Sequence, residues 1–582
     1  MAVDEPKPST DAAVDNATDN NTSQPDEIDL LIQRAQQEHD PELWKRITEM
    51  ADASGDHDKV RKAYDALLKR YPNSSFAQIA YINHFLNDQT HFGDAEDLFK
   101  KFLRMSPSVD LWKFFLTYVR RVTSGPSMRD TIRKSYEFAL SHIGQDRDSA
   151  DVWADYIEFI KTGPATTTWE EQQKMDALRK VYQRAIQIPL SNVERLYQEY
   201  EDFENGLNKI TAKKFLADLN PSYVQAKSVL RQLTTHLSGL GLPRSDEFFL
   251  PTPPVFNEAD RTLIGRWKNY LKWEEKNPLE IEDKDKAQLI TRLQGVYRRA
   301  VIRMRFFPEI WFMAYTWSSK AGKNDEAETM LVAGMEANPG SYLMNFAYAE
   351  LKESQKDHNA AREIFESFLA LLRKEMEESE KSETPQPASA NGNGNGDSGS
   401  KDSSFISLQE EAKPTSAFAQ RQKEYGLAYI MYMRFAQRSE GVKASRAVFG
   451  KARRDNWVPW EVYEAAALME YHCSSESVVA SRIFESGLKK FSDDTDYIVR
   501  YLGFLISIND VNNARALFER VITNFEPERA RVLWERWGRY VYQYDDLESA
   551  QKFEKRMAEV YPGGDCSNSF SSDRHADLTS VR

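Results

Sequence analysis

Residues 266–278 have the sequence RWKNYLKWEEKNP, in which aromatic residues recur at every third position. These are Trp267, Tyr270 and Trp273, and basic residues stand between them. Such interleaving occurs in stacking platforms for single-stranded nucleic acid. Residues at i, i+3 and i+6 also share one face of a helix, spanning about 120°, so they equally suit a buried helix face. The stretch by itself leaves both interpretations open.

The same aromatic spacing returns along most of the chain, and this repetition decides between the two interpretations. The middle position of the motif advances mostly in steps of 32 to 44 residues, which indicates about twelve repeats. The middle positions are Ile47, Tyr81, Phe115, Tyr156, Tyr200, Tyr270, Ala314, Phe346, Tyr432, Ala466, Tyr501 and Trp537. A stripe present in most repeats must face the neighbouring repeat, which all of them share. The aromatic series is therefore predicted to form the core.

A second pattern follows the aromatic motif and predicts that each repeat is a helical hairpin. In AREIFESF, ASRIFESG and ARALFERV an alanine stands four residues before a phenylalanine. A small residue one turn before a large one suits closely packed antiparallel helices. One hairpin cannot bury both of its apolar stripes, whereas stacked hairpins can. The sequence thus predicts an all-α, right-handed superhelical solenoid of about twelve hairpins in two arcs.

The residues that carry the motif are predicted to have a structural role. They are Trp112, Phe115, Trp153, Tyr156, Phe159, Tyr200, Phe203, Glu204, Trp267, Tyr270, Trp273, Glu274, Trp311, Phe346, Glu350, Tyr432, Tyr501, Trp534 and Trp537. Glutamates end several copies of the motif, and two interpretations of them stay open. They are either exposed or bound to an arginine or a helix end in the next repeat.

Composition divides the chain into ordered arrays and polar tails. Residues 1–27 are predicted to be a disordered acidic tail, and residues 563–582 a second disordered tail. Between them we expect an N-terminal array over 28–250 and a C-terminal array over 256–562, separated by a Pro-rich segment. A disordered, Gly- and Asn-rich loop is predicted at about 376–415, inside the C-terminal array.

Charge and cysteine content narrow the classes of function. The net charge is −13, but eight acids and one lysine fall within residues 1–30, and nine acids and four lysines within 374–413. The remaining body is nearly neutral and lacks the basic excess of a strong nucleic-acid binder. Only two cysteines occur, which fits a reducing compartment. The sequence contains no membrane span or secretory signal.

Motifs for catalysis and cofactor binding are absent from the sequence. The nine histidines form no HExxH or comparable metal spacing, and no GxxxxGK[ST], GxGxxG or GxSxG occurs. The abundant carboxylates fit solvated helix faces. We therefore predict that the protein is not an enzyme, with no cofactor, no metal and no catalytic residues.

Two short basic stretches keep direct RNA contact open as a further hypothesis. They are YRRAVIRMRFFP at 297–308 and KARRDNW at 451–457. Such clusters are usually helix faces or patches that pair with acids. If the array does bind RNA directly, charge reversal at Arg298, Arg299 and Arg303 is expected to abolish salt-dependent affinity.

The repeats resemble half-a-tetratricopeptide (HAT) units, whose helices carry Trp-x-x-Tyr-x-x-aromatic-Glu. Five longer stretches resemble the suppressor-of-forked family in order and spacing, namely DLWKFFLTYVRR (110–121), ADVWADYIEFIK (150–161), KVYQRAIQIPLSNVERLYQEYEDFE (180–204), WKNYLKWEEKNPL (267–279) and PEIWFMAYTW (308–317). That family comprises the large subunit of the cleavage stimulation factor and its fungal counterpart in cleavage factor IA.

The resemblance implies a scaffold of mRNA 3′-end cleavage and polyadenylation. It implies a homodimer formed through about 256–562, and partners that include an RNA-recognition-motif subunit and other cleavage and polyadenylation factors. RNA contact would be indirect, no membrane would be involved, and the location would be the nucleus, with the cytoplasm as a second site.

The partner-binding segment of the family follows the HAT array, and only about 20 residues follow Pro562 here. We therefore expect a truncated chain or an incomplete gene model, and partner-binding residues stay unknown. The alternative function is a HAT scaffold of another RNA-processing complex, acting in spliceosome assembly or ribosomal RNA processing.

Overall fold

A computed structural model describes residues 27–38, 40–87, 91–123, 128–242, 248–281, 285–383 and 417–561. These residues form 25 α-helices, and no strand occurs among them. The predicted all-α class is therefore confirmed. The predicted tails, apart from residue 27, and most of the predicted loop lie outside the described residues.

The helices fall into two compact units, residues 1–338 and 339–582. The first unit contains α1 Glu27–Glu38, α2 Pro41–Ser54, α3 His57–Arg70, α4 Ser75–Leu86, α5 Phe92–Leu103, α6 Val109–Val122, α7 Arg129–Ile143, α8 Ala150–Lys161, α9 Thr168–Ile186, α10 Val193–Leu207, α11 Lys209–Ser238, α12 Glu258–Glu275, α13 Lys286–Arg303, α14 Pro308–Lys320 and α15 Asn324–Ala337. The second unit contains α16 Tyr342–Ser354, α17 His358–Glu383, α18 Ala417–Glu440, α19 Val442–Ala452, α20 Trp460–Ser474, α21 Ser477–Leu488, α22 Thr495–Ser507, α23 Val511–Ile522, α24 Pro527–Tyr544 and α25 Leu547–Val560.

Consecutive helices pair as hairpins within each unit. From α2 onwards, every even-numbered helix packs against the odd-numbered helix that follows it. Each predicted middle position of the aromatic motif lies on an even-numbered helix, from Ile47 on α2 to Trp537 on α24. The aromatic stripe is thus the first helix of a hairpin, and the Ala-to-aromatic pattern is the second. The number of repeats stays a prediction.

Local sequence signals explain where many helices begin and end. Asp56, Asp494 and Asp546 cap helices by accepting backbone N–H groups of the first turn. Thr167 and Glu170 form a capping box at the start of α9. Downstream of α3, α5, α9 and α15 a proline stands within four residues of the helix end, where a helix cannot readily continue.

The structure bears on two predicted boundaries, the start of the loop at 376 and the division between the arrays at 250–256. Helix α17 continues to Glu383, so residues 376–383 of the predicted loop are helical. Met376 and Ser379 are buried there, which ties the polar EMEESEK stretch to the unit. The first compact unit also includes helices on both sides of the Pro-rich segment, because α13 packs against α7. The predicted array boundary at 250–256 remains a sequence-based prediction.

Candidate functional site

The opening stretch forms the C-terminal half of α12, and its aromatic face is turned inward. Trp267 and Tyr270 are 3% and 4% exposed, and Trp273 is half-buried. Among the basic residues between them, Arg266 and Lys272 are exposed. A stacking platform needs ring faces open to solvent. The rings of α12 instead pack within the unit, with only the charged side chains outside.

Most other motif aromatics are placed in the same way. The buried ones are Trp112, Trp153, Tyr156, Phe159, Tyr200, Trp311, Tyr432, Tyr501, Trp534 and Trp537. The half-buried ones are Phe115, Phe203 and Phe346. Rings from adjacent helices stack on each other, as Tyr136 does on Tyr156 at a centroid distance of 5.1 Å. Burial raises the pKa of Tyr200 to about 12, which keeps its hydroxyl protonated at neutral pH.

Three of the four glutamates that end the motif are bound to an arginine, and the fourth is exposed. Glu204, Glu274 and Glu470 are at most 4% exposed. Each accepts two hydrogen bonds from one arginine, through the pairs Arg179–Glu204 (2.6 and 3.2 Å), Arg292–Glu274 (3.0 and 2.9 Å) and Arg446–Glu470 (2.6 and 2.7 Å). Such bidentate, charge-assisted pairing is what makes a buried carboxylate tolerable.

The arginine does not come from the next repeat, as had been expected for a bound glutamate. Arg179 and Arg446 lie on the helix that precedes the motif, 25 and 24 residues upstream of their glutamates. Arg292 lies on the following helix of the same hairpin. Glu350 is the exposed copy, and the positions 24 and 25 residues upstream of it are acidic, Glu326 and Asp325. An arginine 24 or 25 residues upstream is therefore a signal that could have found two of the pairs.

A second ionic pattern was not predicted from the sequence. The residue directly after the aromatic of a second helix is often glutamate, and it joins that helix to the next hairpin. Three such glutamates each accept a hydrogen bond from a tyrosine hydroxyl and one from a cation further along the chain. The sets are Glu137 with Tyr156 and Arg184, Glu366 with Tyr432 and Lys451, and Glu485 with Tyr501 and Arg520. We call these sets the glutamate bridges.

The glutamate bridges predict a modest, specific loss of stability when the hydroxyl is removed. In Tyr501→Phe the ring stays packed on Phe484, but the 3.0 Å hydrogen bond to Glu485 is lost. We expect the free energy of unfolding to fall by about 1 kcal/mol, measured by urea denaturation. Combining Tyr501→Phe with Glu485→Ala should cost less than the sum of the two single changes. Full additivity would contradict a shared bridge.

Several residues of the basic stretches are engaged with acidic side chains or buried, whereas Arg453 and Arg454 are exposed. In the first, Arg298 pairs with Glu326 at 2.7 Å and Arg299 pairs with Asp146. In the second, Lys451 bonds Glu366 at 2.8 Å and Trp457 donates its indole N–H to Glu380. Arginines held by carboxylates are poorly placed to neutralise phosphates along an RNA strand. The geometry therefore gives the direct RNA hypothesis little support.

No group of three or more potential metal ligands is found among the described residues. Within the same residues, no helix is both long and apolar enough to cross a bilayer. Three histidines of the first unit, His57, His84 and His91, lie close together, and we call them the histidine trio. His57 Nδ1 lies 3.1 Å from His84 Nε2, and the His57 and His91 rings are 4.4 Å apart.

The histidine trio predicts that the first unit loses stability in acid. Burial, followed by the smaller effects of His57 and His91, lowers the pKa of His84 although Asp52 opposes the shift. The unfolded chain then binds more protons than the folded one as pH falls below about 6.5. We expect the thermal midpoint to drop between pH 7.5 and 5.5.

The matched variant is His84→Gln, with His472→Gln on an exposed face of α20 as control. His84→Gln removes the titrating group, so the thermal midpoint should depend less on pH below about 6.5. His472→Gln should leave that pH dependence unchanged. An unchanged slope in His84→Gln would show that another group sets the acid limit.

Paired helices with buried aromatic stripes define a helical-repeat protein. A family model described as "Suppressor of forked protein (Suf)" matches residues 26–578. The chain belongs to the suppressor-of-forked family, which confirms the predicted resemblance.

Two curated relatives illustrate the similarity. The mRNA 3′-end-processing protein RNA14 of Cryptococcus neoformans var. neoformans serotype D is 40% identical over 560 residues, covering 90% of this chain and 52% of the relative. The mRNA 3′-end-processing protein rna14 of Schizosaccharomyces pombe is 34% identical over 533 residues, covering 90% of this chain and 69% of the relative. The chain thus spans about half the length of the Cryptococcus relative.

The crystal structure of CstF-77 is similar in fold, with a TM-score of 0.53. The match covers 84% of this chain and 88% of the other at 19% sequence identity. Identity at that level supports the helical-repeat fold alone. It agrees with the confirmed all-α architecture and carries no residue-level assignment.

Proposed function

We propose that this chain is a scaffold of the mRNA 3′-end cleavage and polyadenylation machinery. The observation that carries the proposal is the family match over residues 26–578, joined by relatives whose names state mRNA 3′-end processing. Stacked hairpins provide a long, rigid surface on which other proteins can dock. The nearly neutral body and the pairing of Arg298, Arg299 and Lys451 with acids favour protein partners over direct RNA contact.

The proposed role is to hold an RNA-recognition-motif subunit and to bridge it to other cleavage factors in the nucleus. Depletion of the protein from a nuclear extract tests this role. We expect loss of cleavage at a polyadenylation site, with splicing of a control transcript unchanged. Loss of splicing or of ribosomal RNA processing with intact cleavage would instead favour a scaffold of another RNA machine.

We further propose that the protein homodimerises through the predicted C-terminal array, about 256–562. The second unit exposes large apolar side chains near the turn between α24 and α25, where Tyr544 is 72% and Leu547 64% exposed. Exposed apolar surface of this kind often marks a protein interface. These two residues are therefore convenient probes.

Sedimentation equilibrium of the full chain measures the oligomeric state directly. We expect a species of twice the 67.2 kDa chain mass at micromolar concentration. Tyr544→Ser combined with Leu547→Ser should weaken association, because both changes remove exposed apolar area. Val224→Ser, an exposed apolar position in α11 of the first unit, is the matched control. A strict monomer at micromolar concentration would contradict the dimer.

A further inference from the structure

The first unit contains a cavity of about 560 Å³ that none of the repeat features explains. Its walls come from segments far apart in sequence, including residues 71–76, 145–148, 249–251 and the end of α13. Several of the arginines from the stretch 297–308 face it. The cavity is therefore lined by part of a basic motif to which the proposed scaffold role assigns no function.

Most charged groups in the cavity wall are already neutralised by a partner. The pairs are Lys113–Asp151 (2.8 Å), Arg147–Asp148 (2.7 Å), Arg292–Glu274 (2.9 Å) and Arg299–Asp146. Asp110 is half-buried and has its pKa raised by burial, which Lys113 partly offsets. Arg303 lies over the ring of Phe249, with its cation 5.2 Å from the ring centroid. These groups do not need a further ligand.

Arg305 differs from the other basic residues of the wall. It is only 8% exposed, and its Nε–H has no acceptor among the described residues. No described carboxylate lies within ion-pair distance of it, and burial together with nearby Arg70 lowers its pKa to about 10. A buried cation without a counter-charge is costly, so its retention calls for an explanation.

Two further sets of donors open on the cavity beside Arg305. Tyr71 is 3% exposed, and its hydroxyl proton has no acceptor within the described part of the chain. The N-terminus of α4 also reaches the cavity through residues 74–76, and Ser74 makes no side-chain capping bond there. The first-turn N–H groups of a helix carry partial positive charge and attract anions. The Tyr71 hydroxyl, the Arg305 Nε–H and the first-turn N–H groups of α4 are all hydrogen-bond donors.

We propose that Tyr71, Arg305 and the N-terminus of α4, here called the Arg305 site, bind a phosphate-class oxyanion. A tetrahedral dianion accepts hydrogen bonds from several directions, as these donors require, and it balances the charge of Arg305. The other basic residues Lys113, Arg147 and Arg299 of the lining are already paired with carboxylates, so the cavity offers few unpaired cations for the successive phosphates of an RNA strand. The site therefore suits a single compact anion.

The same chemistry can come from two sources, free phosphate or a phosphomonoester on a serine of a partner protein. Isothermal titration of the full chain with inorganic phosphate, against chloride at matched ionic strength, tests the shared chemistry. A capped Gly-phosphoserine-Gly peptide and its unphosphorylated form distinguish the sources. Tighter binding of the phosphopeptide than of phosphate assigns the side-chain source, and the reverse order assigns the free anion.

Arg305→Met and Tyr71→Phe remove one donor each, and each is expected to weaken phosphate binding about 10- to 100-fold. Arg298→Met, on the same stretch but paired with Glu326 outside the cavity, should leave it unchanged. Arg305→Met should also raise the thermal midpoint in phosphate-free buffer, because it removes an uncompensated cation. Tyr71→Phe keeps the test decisive if Arg305→Met does not fold.

Three results would overturn the proposal. The first is no saturable binding of phosphate or phosphopeptide by the wild-type chain. The second is binding that both variants retain at full strength. The third is an oligouridine that binds in an Arg305-dependent way while phosphate does not.

Discussion

Replacing Trp267 by alanine is expected to lower the free energy of unfolding of the first unit by about 3–5 kcal/mol. The indole is 3% exposed and meets Tyr270 edge-to-face at a centroid distance of 6.1 Å. Truncation would remove a large buried surface and leave a cavity that the rigid hairpins can fill only in part. Urea denaturation followed by far-ultraviolet circular dichroism measures the change.

Trp169→Ala is the matched control, because Trp169 is 66% exposed at the start of α9. It should change the free energy of unfolding by less than about 0.5 kcal/mol. If Trp267 were a base-stacking residue, its loss would reduce RNA affinity while leaving stability intact. That pattern would contradict a core role for the aromatic stripe.

Removing one member of the Arg292–Glu274 pair is expected to cost about 3–5 kcal/mol. Both side chains are almost fully buried, at 4% and 1% exposed. Glu274→Leu leaves the arginine without its counter-charge and removes the acceptor of the Tyr270 hydroxyl, whereas Arg292→Met leaves the carboxylate without its cation. The double variant replaces both charges by apolar groups, so it should recover most of the lost stability. Calorimetric or urea unfolding of the four proteins completes the cycle.

An exposed pair provides the comparison. Arg531 and Glu535 are about half exposed on α24, and Arg531→Met should leave the unfolding midpoint unchanged within error. If the double variant Glu274→Leu with Arg292→Met were no more stable than either single variant, the pair would not be the source of the effect. The burial of the two apolar side chains, rather than the loss of the ion pair, would then have to explain the fall in stability.

The aromatic period was sufficient to predict the all-α class and the hairpin pairing. Many copies of one spacing constrain the buried face far more strongly than the charges around Trp267 do. Helix ends were also predictable where Pro72 or Pro339 follows the last turn. In each case the signal is local, because it lies within one hairpin.

Features that join distant segments could not be predicted in this way. Arg292 follows its glutamate by 18 residues, whereas Arg179 precedes Glu204 by 25, so no single spacing describes the buried pairs. The Arg305 site combines residues near 71 with residue 305. The contact between the rings of Tyr71 and Phe306 joins these two segments, and one sequence carries no signal for that contact.

Affinity purification of the full chain from nuclear extract, followed by quantitative mass spectrometry, tests the scaffold role most directly. We predict recovery of cleavage and polyadenylation factors, including a subunit with an RNA-recognition motif, and their retention after nuclease treatment. The Trp267→Ala variant should lose them in proportion to its unfolded fraction. Recovery of spliceosomal or ribosomal RNA processing proteins without any polyadenylation factor would contradict it.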